Sequence, residues 1–391
     1  MPRSPLFEQY AGMQPTLMDY HGWTIPSSFG SVEDEYRALH DGAGLIDLSH
    51  RGRLLVRGED APRFLHGMVS NEVKELEIGQ GNYAFVLDPR GHILADVRVL
   101  RLDAETFLLD CEPQLLEVIR QELDHHIIAD AVELEDRTAQ LACVAVEGPR
   151  AGEVLQQALG FDLPPRNDPA GAGSLRPLEH FHRDDLAARN DMSMSFRLHA
   201  SISGADGYWI LAPAEKAAEF WRKVMEAAES ATPSRSRERA GQETTVRPVG
   251  FEAIEIRRIE AGIPRYGADM DSKTLPQETG QMHALSFTKG CYIGQETVER
   301  IRSRGHVNRQ LVGLRFEGKC NVARDMMVLV KGHPSGFITS AAYSFGLRRT
   351  IALAYLRRES SEPGTQAMVG SDPAKVSALP FPDADSSLRS E

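Results

Sequence analysis

Cysteine is scarce in this chain. There are four cysteines in 391 residues, Cys111, Cys143, Cys291 and Cys320, and they are widely scattered. No C-x-x-C pair and no Cys/His spacing of the kind that builds zinc or iron–sulfur sites is present, so no metal site is expected. Four free thiols fit a reducing cytoplasm. No stretch approaches the roughly 18 consecutive apolar residues of a membrane span. Residues 1–10 carry charge but no apolar core, so no secretory signal is expected there. Positive charge is in deficit: 44 Lys and Arg stand against 56 Asp and Glu, a net charge of −12. That balance argues against a general phosphate-backbone binder, and nucleic acid is not expected as a direct ligand. The one basic cluster, Arg300, Arg302, Arg304, His306 and Arg309, reads equally well as a solvated helix face. No internal repeat stands out.

What is present is a globular composition, 41% hydrophobic and 26% charged, in a chain too long for one ordinary core. Residues 1–140 read as a first α+β region. Arg53 to Arg57 is a strand, and a helix starts at Asp60-Ala61-Pro62 with Asp60 as N-cap. Strands follow at Tyr83–Leu87, Ile93–Arg101 and Thr106–Asp110, then a helix from Glu112 to Asp124. The alternation suggests a ferredoxin-like α+β unit. Residues 141–306 read as a second α+β region, with loops at 162–192 and 231–246 and helices at Ala214–Ser230 and Phe251–Ala261. Residues 307–382 look all-β, closed by a strand at Val376–Phe381, and 383–391 is a polar tail.

The most unusual run is Lys289-Gly290-Cys291-Tyr292-Ile293-Gly294-Gln295-Glu296. Gly290 is able to take a positive φ and turn the chain sharply after a strand at Ser286–Thr288. Gln295 to Ser303 then reads as a helix, with Glu296 and Arg300 paired four apart and Gly305 as the stop. Cys291 is thereby placed near a helix N-terminus beside Lys289, two features that lower a thiol pKa. A lone cysteine also serves as a small buried hydrophobe, and spacing alone leaves both readings open.

This octet resembles the K-G-C-Y-x-G-Q-E signature of the folate-binding YgfZ family, a relative of the glycine cleavage T protein (aminomethyltransferase). Further stretches resemble the T protein. Gly44-Leu45-Ile46-Asp47-Leu48-Ser49-His50-Arg51-Gly52 matches G-L-x-D-x-S-H-M-G with Arg51 in place of methionine. Gly91-His92-Ile93-Leu94-Ala95-Asp96 matches G-G-x-x-D-D with Ala95 in place of the first acid. Ser203-Gly204-Ala205-Asp206-Gly207 sits where the T protein has T-G-E-D-G-F-E; Ala205 replaces its pterin-anchoring glutamate and Trp209 the later one. An arginine of the family's long helix falls at Ile254. Glu260 to Met270 matches E-A-G-x-x-x-Y-G-x-D-M. Leu275-Pro276-Gln277-Glu278 lies closer to YgfZ.

The resemblance implies a three-domain cloverleaf, two ferredoxin-like α+β domains plus a C-terminal β-barrel, around a tetrahydrofolate pocket. It implies a YgfZ-type protein that binds reduced folate and supports iron–sulfur enzyme maturation or repair and tRNA modification, with iron–sulfur proteins as clients. Cys291 would be the working thiol, assisted by Lys289. The alternatives are an aminomethyltransferase, with Asp96 holding the amine and relaying its proton, and a non-catalytic folate-binding scaffold. Folate contacts are expected from Tyr83, Asp96, Asp206, Tyr292, Gln295 and Glu296. Asp206-Gly207 is also a strong hairpin-turn signal on its own.

Overall fold

The computed structural model describes residues 2–160, 178–182, 196–230 and 246–382. Most of the 162–192 and 231–246 loops and the 383–391 tail lie outside the described residues. Between the two loops the described residues include the strand Phe196–His199.

Short apolar runs with alternating or continuous burial build one eleven-stranded sheet. In spatial order its first strands are Val246–Pro248, Ala43–Asp47, Leu141–Glu147 and Gly207–Pro213. Phe196–His199 and Leu178–His182 follow, then Gln80–Leu87, Ile93–Arg101, Thr106–Cys111, Gly52–Arg57 and Glu133–Asp136. Only the first pair is parallel. The hydrogen bonding crosses residue 140: Ala43–Asp47 pairs with Leu141–Glu147, so the two α+β stretches share a half-sheet. In the other half, three meander strands stand between the two helices, and Gly52–Arg57 pairs antiparallel with Thr106–Cys111.

That second half-sheet has two chemically distinct faces, as period-2 alternation requires. Ala95, Val97 and Val99 point to a core with Leu54, Val56, Ala84, Val86 and Leu109. The helices Ala61–Met68 and Leu116–His126 cover this core through Phe64, Leu65, Ile119 and Leu123. Asp60 occupies the N-cap position of the first helix but does not cap it with its side chain. Its carboxylate accepts instead from Arg63 and from the Ala131 N–H. The opposite face of the strands carries Tyr83, Asp96, Arg98, Asp110 and Arg53, held in register by the pairs Tyr83–Arg98, Arg98–Asp110 and Arg53–Asp110. It faces protein rather than bulk water, so its charges need partners.

The C-terminal strands Arg309–Phe316, Met327–Val330, His333–Ser344, Arg349–Arg357, Gln366–Val369 and Asp372–Ser377 close into a six-stranded barrel. The closing strand is Asp372–Ser377, not Val376–Phe381; Phe381 leaves the barrel wall and packs with Ile259 and Tyr355. Gly336 is required where a Cβ would come 1.8 Å from the Tyr355 carbonyl oxygen. The barrel docks on the helix Phe251–Glu260 through hydroxyl contacts to a buried ion pair beside it, with Arg258 also donating to Ser340. Arg258 binds Asp269 (2.5 Å) and Glu255 (2.8 Å), and Asp269 accepts from Thr339 and Ser340. The overall plan is the expected one, α+β layers with a barrel. Among the described residues no helix is long and apolar enough to cross a membrane.

Candidate active site

Asp96 lies in the middle of Ile93–Arg101, on the polar face of the sheet. The Tyr83 hydroxyl donates to its Oδ2 at 2.9 Å. Its Oδ1 is shielded from solvent and has no hydrogen-bond partner. Burial, reinforced by the charge of Glu112, holds the Asp96 pKa above the usual carboxylate range. An oriented carboxylate with one vacant acceptor and a raised pKa is poised to take a hydrogen bond, or a proton, from an incoming amine.

The surroundings are aromatic and amide-rich. Tyr83 stacks on His283, with ring centroids 5.6 Å apart. Burial lowers the His283 pKa to about 4, so the ring is neutral near pH 7, and its Nε2 lacks a partner. Tyr266 is close enough to Asp96 for the acid's charge to raise its phenol pKa further, after burial has done most of the work. Gln114, whose amide nitrogen lies 3.6 Å from where a Cβ on Gly267 would be, next to Tyr266, has both side-chain amide atoms shielded and unpartnered. Sequence reasoning missed Gln114 and His283 altogether, since an isolated glutamine or histidine carries no periodic signal.

Behind Asp96 stands a paired charge network. Arg51 donates to Asp110 at 2.7 Å and to Glu112 at 2.5 Å, and all three are buried. Tyr20 donates to Glu112 at 2.5 Å. Burial pushes the Glu112 pKa up, but Arg51 and the Tyr20 hydrogen bond outweigh it and bring it down to about 2. His50 is buried here as well, and desolvation lowers its pKa to about 4. Asp47 accepts from the Ser49 N–H and the Tyr10 hydroxyl, so it closes a local turn.

The octet borders this arrangement through Tyr292, which shares a packed cluster with Tyr83 and Tyr266, and does different work. Ser286–Thr288 is a loop rather than a strand, and the positive φ belongs to Gly294 (81°), not Gly290. A Cβ on Gly294 would lie 2.6 Å from the Asp88 carbonyl oxygen, so this glycine lets the octet press on the turn of the hairpin that carries Asp96. Lys289 is 8% exposed, and its ammonium donates to the carbonyls of His66, Val69 and Asn71 at 2.5, 2.6 and 2.8 Å. Desolvation lowers its pKa to about 7, while the three carbonyls favour the cation. With these contacts made, Lys289 is a peg under the end of the helix Ala61–Met68. Tyr292 packs among Phe85, Leu87, Ile93 and Val298. Glu296 is 84% exposed and pairs with Arg300. Gln295 opens the helix Gln295–Arg304. Cys291 is exposed, three residues before that helix's N-cap.

Of the expected site residues, then, Tyr83 and Asp96 come together, while Lys289, Tyr292 and Glu296 are engaged in packing or face solvent. Asp206 lies in the turn before Gly207–Pro213, its carbonyl accepting from the Gly148 N–H. Glu278 is bound by Arg309 in two hydrogen bonds. Trp209 is fully buried, and its indole N–H donates to Glu147 at 3.0 Å. Glu147 also accepts from Ser201, Ile202 and Ser203, so it pins the loop ahead of Asp206. Ile254 is a core residue.

Comparison with known proteins bears on this geometry. Residues 6–289 match the family described as GCVT N-terminal domain, and residues 309–383 match the glycine cleavage T-protein C-terminal barrel domain. The aminomethyltransferase of Rubrobacter xylanophilus is 29% identical over 381 residues, 97% of this chain and 93% of that protein. The aminomethyltransferase of Caldanaerobacter subterraneus subsp. tengcongensis is 27% identical over 368 residues, 94% and 91% of the two chains. The crystal structure of the glycine cleavage system aminomethyltransferase T from Bartonella henselae superposes with a TM-score of 0.81, covering 97% of this chain and 98% of that one. At 22% identity that likeness is one of fold.

Proposed function

Since the chain belongs to the glycine cleavage T-protein family, we propose that it is an aminomethyltransferase-type protein that passes a one-carbon unit from an amine donor to tetrahydrofolate. The observation that carries this is Asp96, fixed by Tyr83 on one oxygen and vacant on the other. The names of the related proteins favour it over the YgfZ reading.

The residues fit a reduced folate. A pterin is flat and bears N–H donors beside ring acceptors. The vacant Asp96 oxygen suits a donor, the Gln114 amide suits both kinds of group, and the stacked Tyr83–His283 pair suits a ring face. Tetrahydrofolate, when bound, supplies the nitrogen nucleophile that accepts the carbon. Asp96 accepts a hydrogen bond from the donor's ammonium and holds it against the acceptor. As the amine leaves, the same carboxylate is placed to relay its proton. Tyr83 keeps the carboxylate in one rotamer, and the Arg51–Asp110–Glu112 network holds the strand face behind it.

The test is ammonia release from an aminomethyl-loaded lipoyl carrier in the presence of tetrahydrofolate. Asp96→Asn is expected to lower the rate by about 10²–10⁴-fold. A wild-type protein that neither binds tetrahydrofolate nor releases ammonia would overturn the reading.

A second reading, a YgfZ-type folate-binding protein serving iron–sulfur enzymes, has the exposure of Cys291 in its favour. It requires the thiol to be the working group. A Cys291→Ser chain that still supports iron–sulfur enzyme activity in cells would remove it.

A further inference from the structure

The sheet face that carries Asp96 also carries Arg98, two residues on and roughly 7 Å along the strand. Register fixes its neighbours: Tyr83 lies opposite it on one side and Asp110 on the other. Its guanidinium sits 4.5 Å from the ring centroid of Trp209. That indole is fully buried, and its N–H donates to Glu147. A guanidinium stacked in this way keeps its N–H edge available to acceptors.

Those N–H groups are poorly used. Arg98 reaches only 3.5 Å to the Asp110 oxygen that Arg51 already occupies, and 3.3 Å to the Ser201 carbonyl. Among the described residues nothing accepts from its Nε. Arg51, by contrast, is well paired with Asp110 and Glu112 at 2.7 and 2.5 Å. Asp96 spends one oxygen on Tyr83 and none on Arg98. The Arg98 side chain keeps 15% exposure, so it is within reach of an arriving group.

Charge and distance together say which acceptor fits. On and behind this face the guanidiniums of Arg51, Arg53 and Arg98 stand against the carboxylates of Asp96, Asp110 and Glu112, three against three. A further carboxylate would upset that balance where an unmatched charge is costly, and a neutral carbonyl would not. The short step along the strand means that a group held by Arg98 lies close to the group held by Asp96. In tetrahydrofolate the ring carbonyl neighbours the carbon-accepting nitrogens, whereas the carboxylates lie beyond the benzoyl group.

We propose that Arg98 donates to the ring carbonyl of the pterin and thereby selects 4-oxo over 4-amino reduced folates. This rests on the folate-dependent reading above and names the residue that reads the ring. Trp209 holds the guanidinium plane, so it is a positioning residue. Arg98 takes no part in the transfer itself, and the donor's amine still meets Asp96.

The probes are tetrahydrofolate and its 4-amino-4-deoxy analogue, which differ only in whether that ring position accepts or donates a hydrogen bond. Each is titrated calorimetrically into the wild type, Arg98→Met and Arg98→Lys. The wild type is expected to bind tetrahydrofolate at least about 10-fold more tightly than the analogue, the worth of one charge-assisted hydrogen bond. Arg98→Met is expected to weaken tetrahydrofolate by a similar factor and to bind the analogue no more weakly than the wild type does, which also shows that the variant is folded. Arg98→Lys, which keeps the charge without the planar fork, is expected to retain part of the preference, and it decides the matter if Arg98→Met binds neither probe. Binding of both probes by the wild type without a preference for tetrahydrofolate overturns the proposal and leaves the folate reading standing. A preference that survives in full in Arg98→Met, or in Arg98→Lys where that variant decides, also overturns it; equal weakening of both probes would assign Arg98 to the shared tail. A wild type that binds neither probe would remove the folate reading itself.

Discussion

The hairpin bearing Asp96 and the octet Lys289–Glu296 differ in a way that their sequences conceal. The octet is long and distinctive, whereas the hairpin is an ordinary apolar alternation with one acid. In the structure most of the octet is engaged, the exception being the Tyr292 hydroxyl, which is buried without a hydrogen-bond partner. Lys289 is spent on three carbonyls, Tyr292 on a core, Gly294 on a close approach to Asp88, and Glu296 on a surface pair. The hairpin keeps unspent chemistry, the partnerless Oδ1 of Asp96 and the under-used guanidinium of Arg98. Motif length measures how many constraints a segment satisfies, and packing constraints count as fully as catalytic ones. Unmet hydrogen-bonding capacity points to a site where such groups gather, as the Asp96 Oδ1 and the His283 Nε2 do around Tyr83.

The comparison breaks first at Lys289. Lys289→Met leaves the carbonyls of His66, Val69 and Asn71 without their donor and is expected to cost roughly 2–4 kcal/mol of stability. Urea unfolding reads this, and an alkylation assay should find the reactivity of Cys291 unchanged. A stable variant with an altered thiol would return Lys289 to a chemical role.

The next test sharpens the other region. His50 has a folded pKa of about 4 against an ordinary 6.5. A depressed value contributes stability that is complete above pH 6.5 and is lost as the pH falls through 4. The loss is expected to reach roughly 3 kcal/mol. His50→Gln should flatten the pH dependence of the unfolding midpoint over that window. The smallest effect is expected at Cys291. Cys291→Ser should change stability by no more than about 0.5 kcal/mol, as for an exposed residue away from special features.

The strands and the barrel were legible in the sequence because period-2 alternation fixes which side chains share a face; Tyr83 and Asp96 were each marked as folate contacts, and their hydrogen bond was not foreseen. Asp96 and Tyr83 fall on the polar side of adjacent strands, and motif resemblance marked the acid. It could not assign partners across long separations. The donation of Lys289 to Val69 spans 220 residues, and nothing in its spacing separates that peg from a thiol activator. The Gly290 expectation failed for a related reason. Either glycine permits a positive φ, and only the approach of the Asp88 turn decides that Gly294 takes it. Arg98 was passed over because it departs from no family position that the motifs define. Its meaning comes from Trp209, brought beside it from a different half of the sheet.

The most direct measurement is calorimetric titration of tetrahydrofolate into the wild type, Asp96→Asn and Cys291→Ser. The account predicts binding by the wild type, unchanged binding by Cys291→Ser, and at least about 10-fold weaker binding by Asp96→Asn, the loss of one charge-assisted hydrogen bond. Binding that survives Asp96→Asn but fails with Cys291→Ser would place the working site in the octet and contradict the account.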